Sequence, residues 1–277
     1  MGFKVFGTLL LFLSLIKVSG QSTADTTWPE LSWSTYDMHP GVQIRTIQTD
    51  VRYHSRQSIQ LLILDPAKVA FDLGSSDSVL VTTSEFAKRQ ETIAAINGGF
   101  FDTKKGGAVA FIQDNYRVIN DLPSHEKYID EAGILIDTAG YLTIAGKPCM
   151  GWFSQSSYPD VLTSGPYIVS NRDMIDERHD PFHDNRHPRS AIGRTLDEKI
   201  LLAVVDGRSA EAQGMTIPEL SNLLLELGCY QALNLDGGGS STLWIKGMGV
   251  INHPSDNRQF DAGGERPVAN CLLILSR

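Results

Sequence analysis

The chain of 277 residues is long enough to bury a substantial core, as one large domain or two small ones. Its 42% hydrophobic and 20% charged residues are ordinary for a soluble globular protein, and a net charge of −8 disfavours nucleic acid or anionic membrane as a partner. An anionic ligand would have to be gripped by local arginines and backbone amides against that field.

The first element in chain order is a targeting signal. Lys4 precedes the apolar run Val5–Ile16, and small residues close it at Gly20. A run of about a dozen apolar residues is too short to span a bilayer and suits a signal-peptide core. Residues 1–20 are therefore expected to be cleaved near Gly20, giving a secreted or periplasmic protein without a membrane anchor. No cysteine follows the run, which argues against a lipoprotein. Residues 21–40 are polar with scattered aromatics and read as an extended arm whose tryptophans dock on the body. Residues 41–277 form the expected catalytic domain.

Strand-like runs dominate that domain: VQIRTIQT, IQLLILD, KVAFDLG, TIAAING, AGILIDT, KILLAVVDG, ALNLD, STLWIK and PVANCLLIL. They are short, rich in β-branched residues and bounded by Gly, Pro, Asn or Asp. Two helices interrupt them. One opens at Thr82-Thr83-Ser84-Glu85. The other opens at Thr216, with Glu219 at capping-box spacing and Pro218 in the first turn. Leu220, Leu223, Leu224 and Leu227 then share one helical face, and Gly228 can end the helix. Many strands, few helices and no sustained βαβ alternation give an α+β class, with mixed or antiparallel sheets in a single large domain. Cys149, Cys229 and Cys271 are an odd number, and the last two adjoin apolar strands, so buried thiols are expected. Residues 171–188 are the least regular stretch, polar and broken by prolines, and a loop that long is often functional.

Four motifs could carry chemistry. In AAINGGFFD, a buried strand runs into Asn97, Gly98 and Gly99, followed by Asp102. Glycines allow close backbone approach to a ligand, although a hairpin turn reads equally well. RHPRSAIGR holds Arg186, Arg189 and Arg194 beside His187, and arginine grips phosphate or carboxylate with two prongs. AVVDGR ends an apolar strand at Asp206, followed by Arg208. NLDGGGSSTL ends another at Asp236, followed by Gly237, Gly238, Gly239, Ser240 and Ser241. Successive glycine amides can form an anion-binding nest, and a plain Asp-Gly hairpin would not need a third glycine. The spacing is neither that of a Walker A loop nor that of a dinucleotide fold. His179, His183 and His187 recur every four residues, but Pro181 and Pro188 argue against a helical metal site, so no metal or cofactor is expected.

Taken together, INGGFFD, HPRSAIG, VVDGR, GMTIPEL, LNLDGGGSSTL and ERPVAN resemble, in this order, the phosphodiester glycosidase family. The resemblance covers roughly residues 93–275. It implies hydrolysis of the bond between a sugar's anomeric carbon and a phosphodiester, with a sugar phosphate or related anionic glycan as substrate. On the motif positions, Asp236 and Asp206 are the expected acid–base or nucleophilic carboxylates, with Asp102 and Glu265 behind them. Arg189, Arg208 and the Gly237–Ser241 amides would hold phosphate, and Asn97, Gly98 and Gly99 would line the sugar side. A metal-assisted phosphodiesterase using the histidine loop and a non-catalytic carbohydrate-binding protein are the rival readings.

Overall fold

Strand Ile200–Val205 shows how the layers form. Leu202 and Val204 enter one core cluster, while Leu201, Ala203 and Val205 enter another on the opposite face. A fully apolar strand of this kind is covered on both sides. The computed structural model describes residues 26–88, 91–121 and 129–277. The expected signal peptide, 1–20, and the start of the expected arm lie outside the described residues.

Among the described residues, three antiparallel sheets make up the body. The largest has eight strands in the order Ser34–His39, Val42–Thr49, Gln57–Leu64, Ile200–Val205, Arg189–Thr195, Cys229–Asn234, Tyr167–Ser170 and Asp173–Met174. A five-stranded sheet runs Gly249–Val250, Leu243–Ile245, Thr92–Asn97, Asn270–Ser276 and Val69–Ser75. The other five-stranded sheet runs Arg117–Asn120, Ile112–Asp114, Asp160–Ser164, Ala132–Ile136 and Leu142–Gly146. Each sheet sends one face into a shared apolar cluster, for example Leu62, Leu202 and Leu233; Ile96, Leu272 and Ile274; and Ile134, Ile144 and Leu162.

Three α-helices occur among the described residues: α1 (Thr83–Lys88), α2 (Pro181–Asp184) and α3 (Ile217–Glu226). On α3, Thr216 Oγ1 accepts from the Glu219 N–H, and the Glu219 carboxylate accepts from the Thr216 N–H, so the capping box is closed. Leu220, Leu223 and Leu224 bury against the outer face of the eight-stranded sheet. Burying each contributes roughly 1.5–3 kcal/mol. Gly228 follows the helix at φ +92°, a conformation that glycine adopts without cost. Helix α1 places Phe86 and Ala87 on the outer face of the strands bearing Ala95, Cys271 and Leu273.

Residues 26–33, within the expected arm, pack on the body, with Trp28 fully buried and its backbone N–H donated to Glu226 Oε2 at 2.6 Å. Within the same expected arm, residues 34–39 form the edge strand paired with Val42–Thr49. Cys229 and Cys271 are buried and Cys149 is exposed, and burial pushes the Cys229 thiol up to about 12.

Candidate active site

Antiparallel register gathers the motifs at one end of the eight-stranded sheet. Arg189 opens its strand opposite Val205, which Asp206 and Arg208 follow. Ala191 pairs with Asn234 on the next strand, just before Asp236. The Asp236 N–H donates to the Gly98 carbonyl at 3.0 Å, which ties this end to the sheet carrying Asn97.

A cavity of about 270 Å³ opens there, lined by Phe182, His187, Arg189, Arg208, Asp236 and Arg266, with Gly237 and Gly238 in its wall. It lies near the lower limit of ordinary ligand sites, roughly 300–1,000 Å³. A larger cleft of about 620 Å³ runs past Asp37, His39, Arg45 and Lys199 and holds none of the motif residues. The smaller cavity is the chemically distinctive one, because three arginines and one carboxyl group line it.

Asp236 is half-buried, and removal from water pushes its pKa up to about 6. The Ser240 hydroxyl, the Gly237 N–H and the charges of Arg266 and Arg208 pull the other way without cancelling that effect. Arg189 is fully buried, and its guanidinium donates to the carbonyls of Met215, Phe182 and Asn185 at 2.9, 2.6 and 3.1 Å. Its charge lies 4.7 Å from the centre of the Phe182 ring. Arg266 bonds Asp256, with its Nε at 2.9 Å from Oδ1. Arg208 lies over Gly238, where an added Cβ would be 3.1 Å from its guanidinium. Partial burial and the neighbouring Arg266 lower the Arg208 pKa, and an anion bound between the two would relieve that crowding. Burial and the charges of Arg189 and Arg208 likewise lower His187 below the usual imidazole range.

The glycine loop differs from an open nest. The Gly237 N–H donates to the Asp236 carboxylate at 2.9 Å and the Gly238 N–H to the Pro188 carbonyl at 2.8 Å. The Ser240 and Ser241 amides close the Gly238–Ser240 turn on the carbonyls of Gly237 and Gly238. Four of the five amides are thus engaged within the chain, and both serines are buried. Guanidinium groups, rather than a row of amides, supply most of the positive field.

Several expected residues stand outside the cavity lining. Asp206 is fully buried and receives five hydrogen bonds, from Ser58, Gln60, Asn252 and both the backbone and ring of His253. Asp102 folds back on its own turn, accepting from the Lys104 and Lys105 N–H groups at 2.8 and 2.9 Å. Glu265 accepts from the Ser84 N–H at 2.7 Å, which caps the start of α1. Asn97 is buried and bridges strands rather than facing a ligand. Its amide donates to the Asp236 carbonyl at 2.6 Å and its oxygen accepts from Ser190 Oγ and the Thr242 N–H. Gly98 and Gly99 are packed against protein, since an added Cβ would come within 2.1 Å of Asn270 Oδ1 or 2.6 Å of the Thr163 carbonyl.

Of the arginines in RHPRSAIGR, only Arg189 lines the cavity. Arg186 pairs with Glu219 on α3, and Arg194 pairs with Glu198. The three spaced histidines part company: His179 meets Asp184, His183 is buried against Asp176 and Asp180, and His187 lines the cavity. Among the described residues, no group of three or more His, Cys, Asp or Glu side chains is placed to hold a metal ion. Arg266, Phe182 and His187 are site residues that the sequence reading did not assign. Arg266 adjoins Glu265 in a motif already singled out, and the grouping of arginines was its available signal.

A model of the phosphodiester glycosidase family matches residues 90–275. The chain is 42% identical over 231 residues to the SPbeta prophage-derived uncharacterized protein YomE of Bacillus subtilis, covering 76% of this chain and 31% of that protein. It is 25% identical over 199 residues to human N-acetylglucosamine-1-phosphodiester alpha-N-acetylglucosaminidase, covering 64% and 36% of the two chains. The chain therefore spans about a third of the length of these relatives. The zebrafish N-acetylglucosamine-1-phosphodiester alpha-N-acetylglucosaminidase catalytic domain, auto-inhibited by its pro-peptide, superposes with a TM-score of 0.70 at 19% identity, over 90% of this chain and 89% of that one. A Synechocystis protein superposes with a TM-score of 0.67 at 14% identity, over 89% and 64%. These two likenesses concern the fold alone. With its family-specific region running through two thirds of its length, the chain belongs to the phosphodiester glycosidase family.

Proposed function

We propose that the protein is an exported hydrolase that cleaves the bond between the anomeric carbon and the phosphate of a sugar-1-phosphodiester. The observation that carries this reading is the small cavity that Arg189, Arg208 and Arg266 line together with Asp236, whose carboxyl group feels the charges of Arg208 and Arg266. The relatives named for N-acetylglucosamine-1-phosphodiester make that compound the first substrate to try. Export rests on the apolar run at residues 5–16.

In this reading the arginines hold the phosphodiester, and its oxygen leaves with the bonding electrons of the carbon–oxygen bond. A phosphate monoester leaves readily, so charge stabilisation by guanidinium replaces a strong acid. Water attacks the anomeric carbon and gives its proton to Asp236. A carboxylate whose pKa is about 6 is a stronger base at neutral pH than an ordinary one, yet remains mostly ionised.

The test is release of free sugar from sugar-1-phosphodiesters by the purified protein. Asp236→Asn is expected to lower kcat by roughly 10²–10⁴-fold with the fold intact, the range of a lost general base. The wild-type rate should rise with pH through about 6. Undiminished turnover by a folded Asp236→Asn protein would sink the assignment.

A further inference from the structure

Asp206 is 1% exposed and does not line the arginine cavity, yet two distant segments meet on its carboxylate. Oδ1 accepts from the Asn252 amide at 3.1 Å and the His253 N–H at 2.8 Å. Oδ2 accepts from Ser58 Oγ at 2.7 Å and Gln60 Nε2 at 3.2 Å. We infer that Asp206 is a positioning residue of the cavity: from outside it, Asp206 fixes the two segments that carry Arg208 and Arg266 into its wall. The inference rests on the reading of that cavity as the phosphate-holding site of a hydrolase.

The first segment is its own. Asp206 is pinned at the backbone too, where its N–H donates to the Ser58 carbonyl at 2.9 Å. Gly207 follows and is closely packed, since an added Cβ would lie 2.9 Å from the Pro188 nitrogen and 3.0 Å from the Gly214 Cα. Arg208 comes next at φ +63°, a left-handed conformation that side chains disfavour. A residue stays in such a conformation only where the surrounding structure holds it. The anchored carboxylate two residues back is part of that hold.

The second segment runs from Asn252 to Arg266. Asn252 is 1% exposed, and backbone groups set its amide the right way round. Its nitrogen also donates to the Ser241 carbonyl at 2.9 Å, and its oxygen accepts from the Leu243 N–H at 2.8 Å. Asp206 is thereby tied, through Asn252, to the end of the glycine loop. The His253 ring places Nδ1 2.8 Å from Asp206 Oδ2 and stacks on Phe260 at 3.7 Å. A little further on, Asp256 donates its N–H to the Gly264 carbonyl at 3.2 Å and accepts from Arg266 Nε at 2.9 Å. The Asp256–Arg266 pair lies against Gly239, where an added Cβ would come within 2.5 Å of Asp256 Oδ1 and 2.6 Å of Arg266 Nη2. A continuous run of contacts therefore leads from the buried Asp206 carboxylate to a guanidinium in the cavity wall. Outer groups that orient the residues touching a ligand commonly control its affinity in this way.

The test is calorimetric titration of the full purified chain with inorganic phosphate, alongside kcat and KM for a sugar-1-phosphodiester. Asp206→Asn should weaken phosphate binding and raise KM at least fivefold, while kcat changes less and the rate still rises with pH through about 6. Asp206→Asn combined with Arg266→Ala should weaken phosphate by less than the product of their separate effects, because one acts through the other. His253→Ala, at a ring 27% exposed, should weaken phosphate severalfold and serves if Asp206→Asn does not fold. Phosphate binding that shows this coupling without any release of sugar would sink the hydrolase reading and leave the positioning role. The positioning role is overturned if the wild type binds no phosphate, or if folded Asp206→Asn or His253→Ala binds it unchanged. It is equally overturned if the effects of Asp206→Asn and Arg266→Ala multiply, or if Asp206→Asn alters kcat and its pH profile rather than phosphate affinity.

Discussion

Arg208 and Arg266 differ in what already neutralises them. Arg266 shares its charge with Asp256, whereas Arg208 forms no ion pair among the described residues. A bound phosphate therefore gains most from Arg208, and Arg208→Ala is expected to raise KM for a phosphodiester at least tenfold while kcat changes less. Arg208→Lys should recover only part of the affinity, because an ammonium offers a point charge where the guanidinium offers a fork. Steady-state kinetics of the two variants would check both outcomes; an unchanged KM in Arg208→Ala would remove the phosphate-holding role. Glu265 sits one residue from Arg266 but does other work. Its carboxylate receives the Ser84 N–H at the start of α1. Glu265→Ala should lower stability by about 1 kcal/mol, the usual value of a helix cap, and leave turnover near the wild-type rate. Thermal unfolding and an activity assay on the same sample decide the matter, and a large loss of turnover at unchanged stability would return Glu265 to the reaction.

At the level of elements, local signals were legible and their uses were not. Helix α3 could be read because its capping box, its first-turn proline and its leucine spacing all lie within a dozen residues. Helix α2 was missed. It is four residues long, opens on Pro181 and lies in the polar stretch expected to be irregular. Its start depends on Asp180, whose carboxylate accepts from the Phe182 and His183 N–H groups. That short turn presents the Phe182 carbonyl to Arg189. In INGGFFD the sequence shows two glycines but not what approaches them. The approach comes from Asn270 and Thr163, far along the chain. Gly98→Ala is accordingly expected to destabilise by about 1–3 kcal/mol through overpacking, because the new methyl would meet Asn270 Oδ1, which accepts from the Gly99 N–H. Denaturant unfolding would measure it. A neutral effect on stability with loss of substrate binding would instead restore these glycines to the sugar side.

For the whole molecule, strand content and antiparallel character followed from short β-branched runs, but the three-sheet arrangement depends on pairings between distant segments. Thr92–Asn97 lies beside Asn270–Ser276, and Gln57–Leu64 beside Ile200–Val205. Apolar strands covered on both faces carry no mark of which neighbour they take. The assembled body also buries carboxyl groups, and this sets a pH dependence that no local motif reveals. Asp160 is 5% exposed, and burial pushes its pKa up to about 6, aided by Asp72 and Asp114 and opposed by the Asn115 N–H. Asp236 is raised to the same value. In the unfolded chain such groups titrate near 3.9. The folded state therefore holds these protons more tightly, and stability rises as pH falls through 6 towards 4. Asp65, Asp102, Asp180 and Asp261 are lowered and act in the opposite sense, but their stabilisation is lost only at more acid pH. The two raised carboxyl groups thus draw the stability maximum to the acid side of neutrality, against His187, whose lowered imidazole loses stability as pH falls through about 6.5. Asp160→Asn keeps an oxygen for the Asn115 N–H, bonded at 2.8 Å in the wild type, and removes the buried charge. It should be more stable than the wild type by about 1–3 kcal/mol at pH 7.5, with the difference disappearing near pH 4. Urea midpoints at the two pH values provide the measurement, and a difference that does not change with pH would show that burial of the Asp160 charge is not its source.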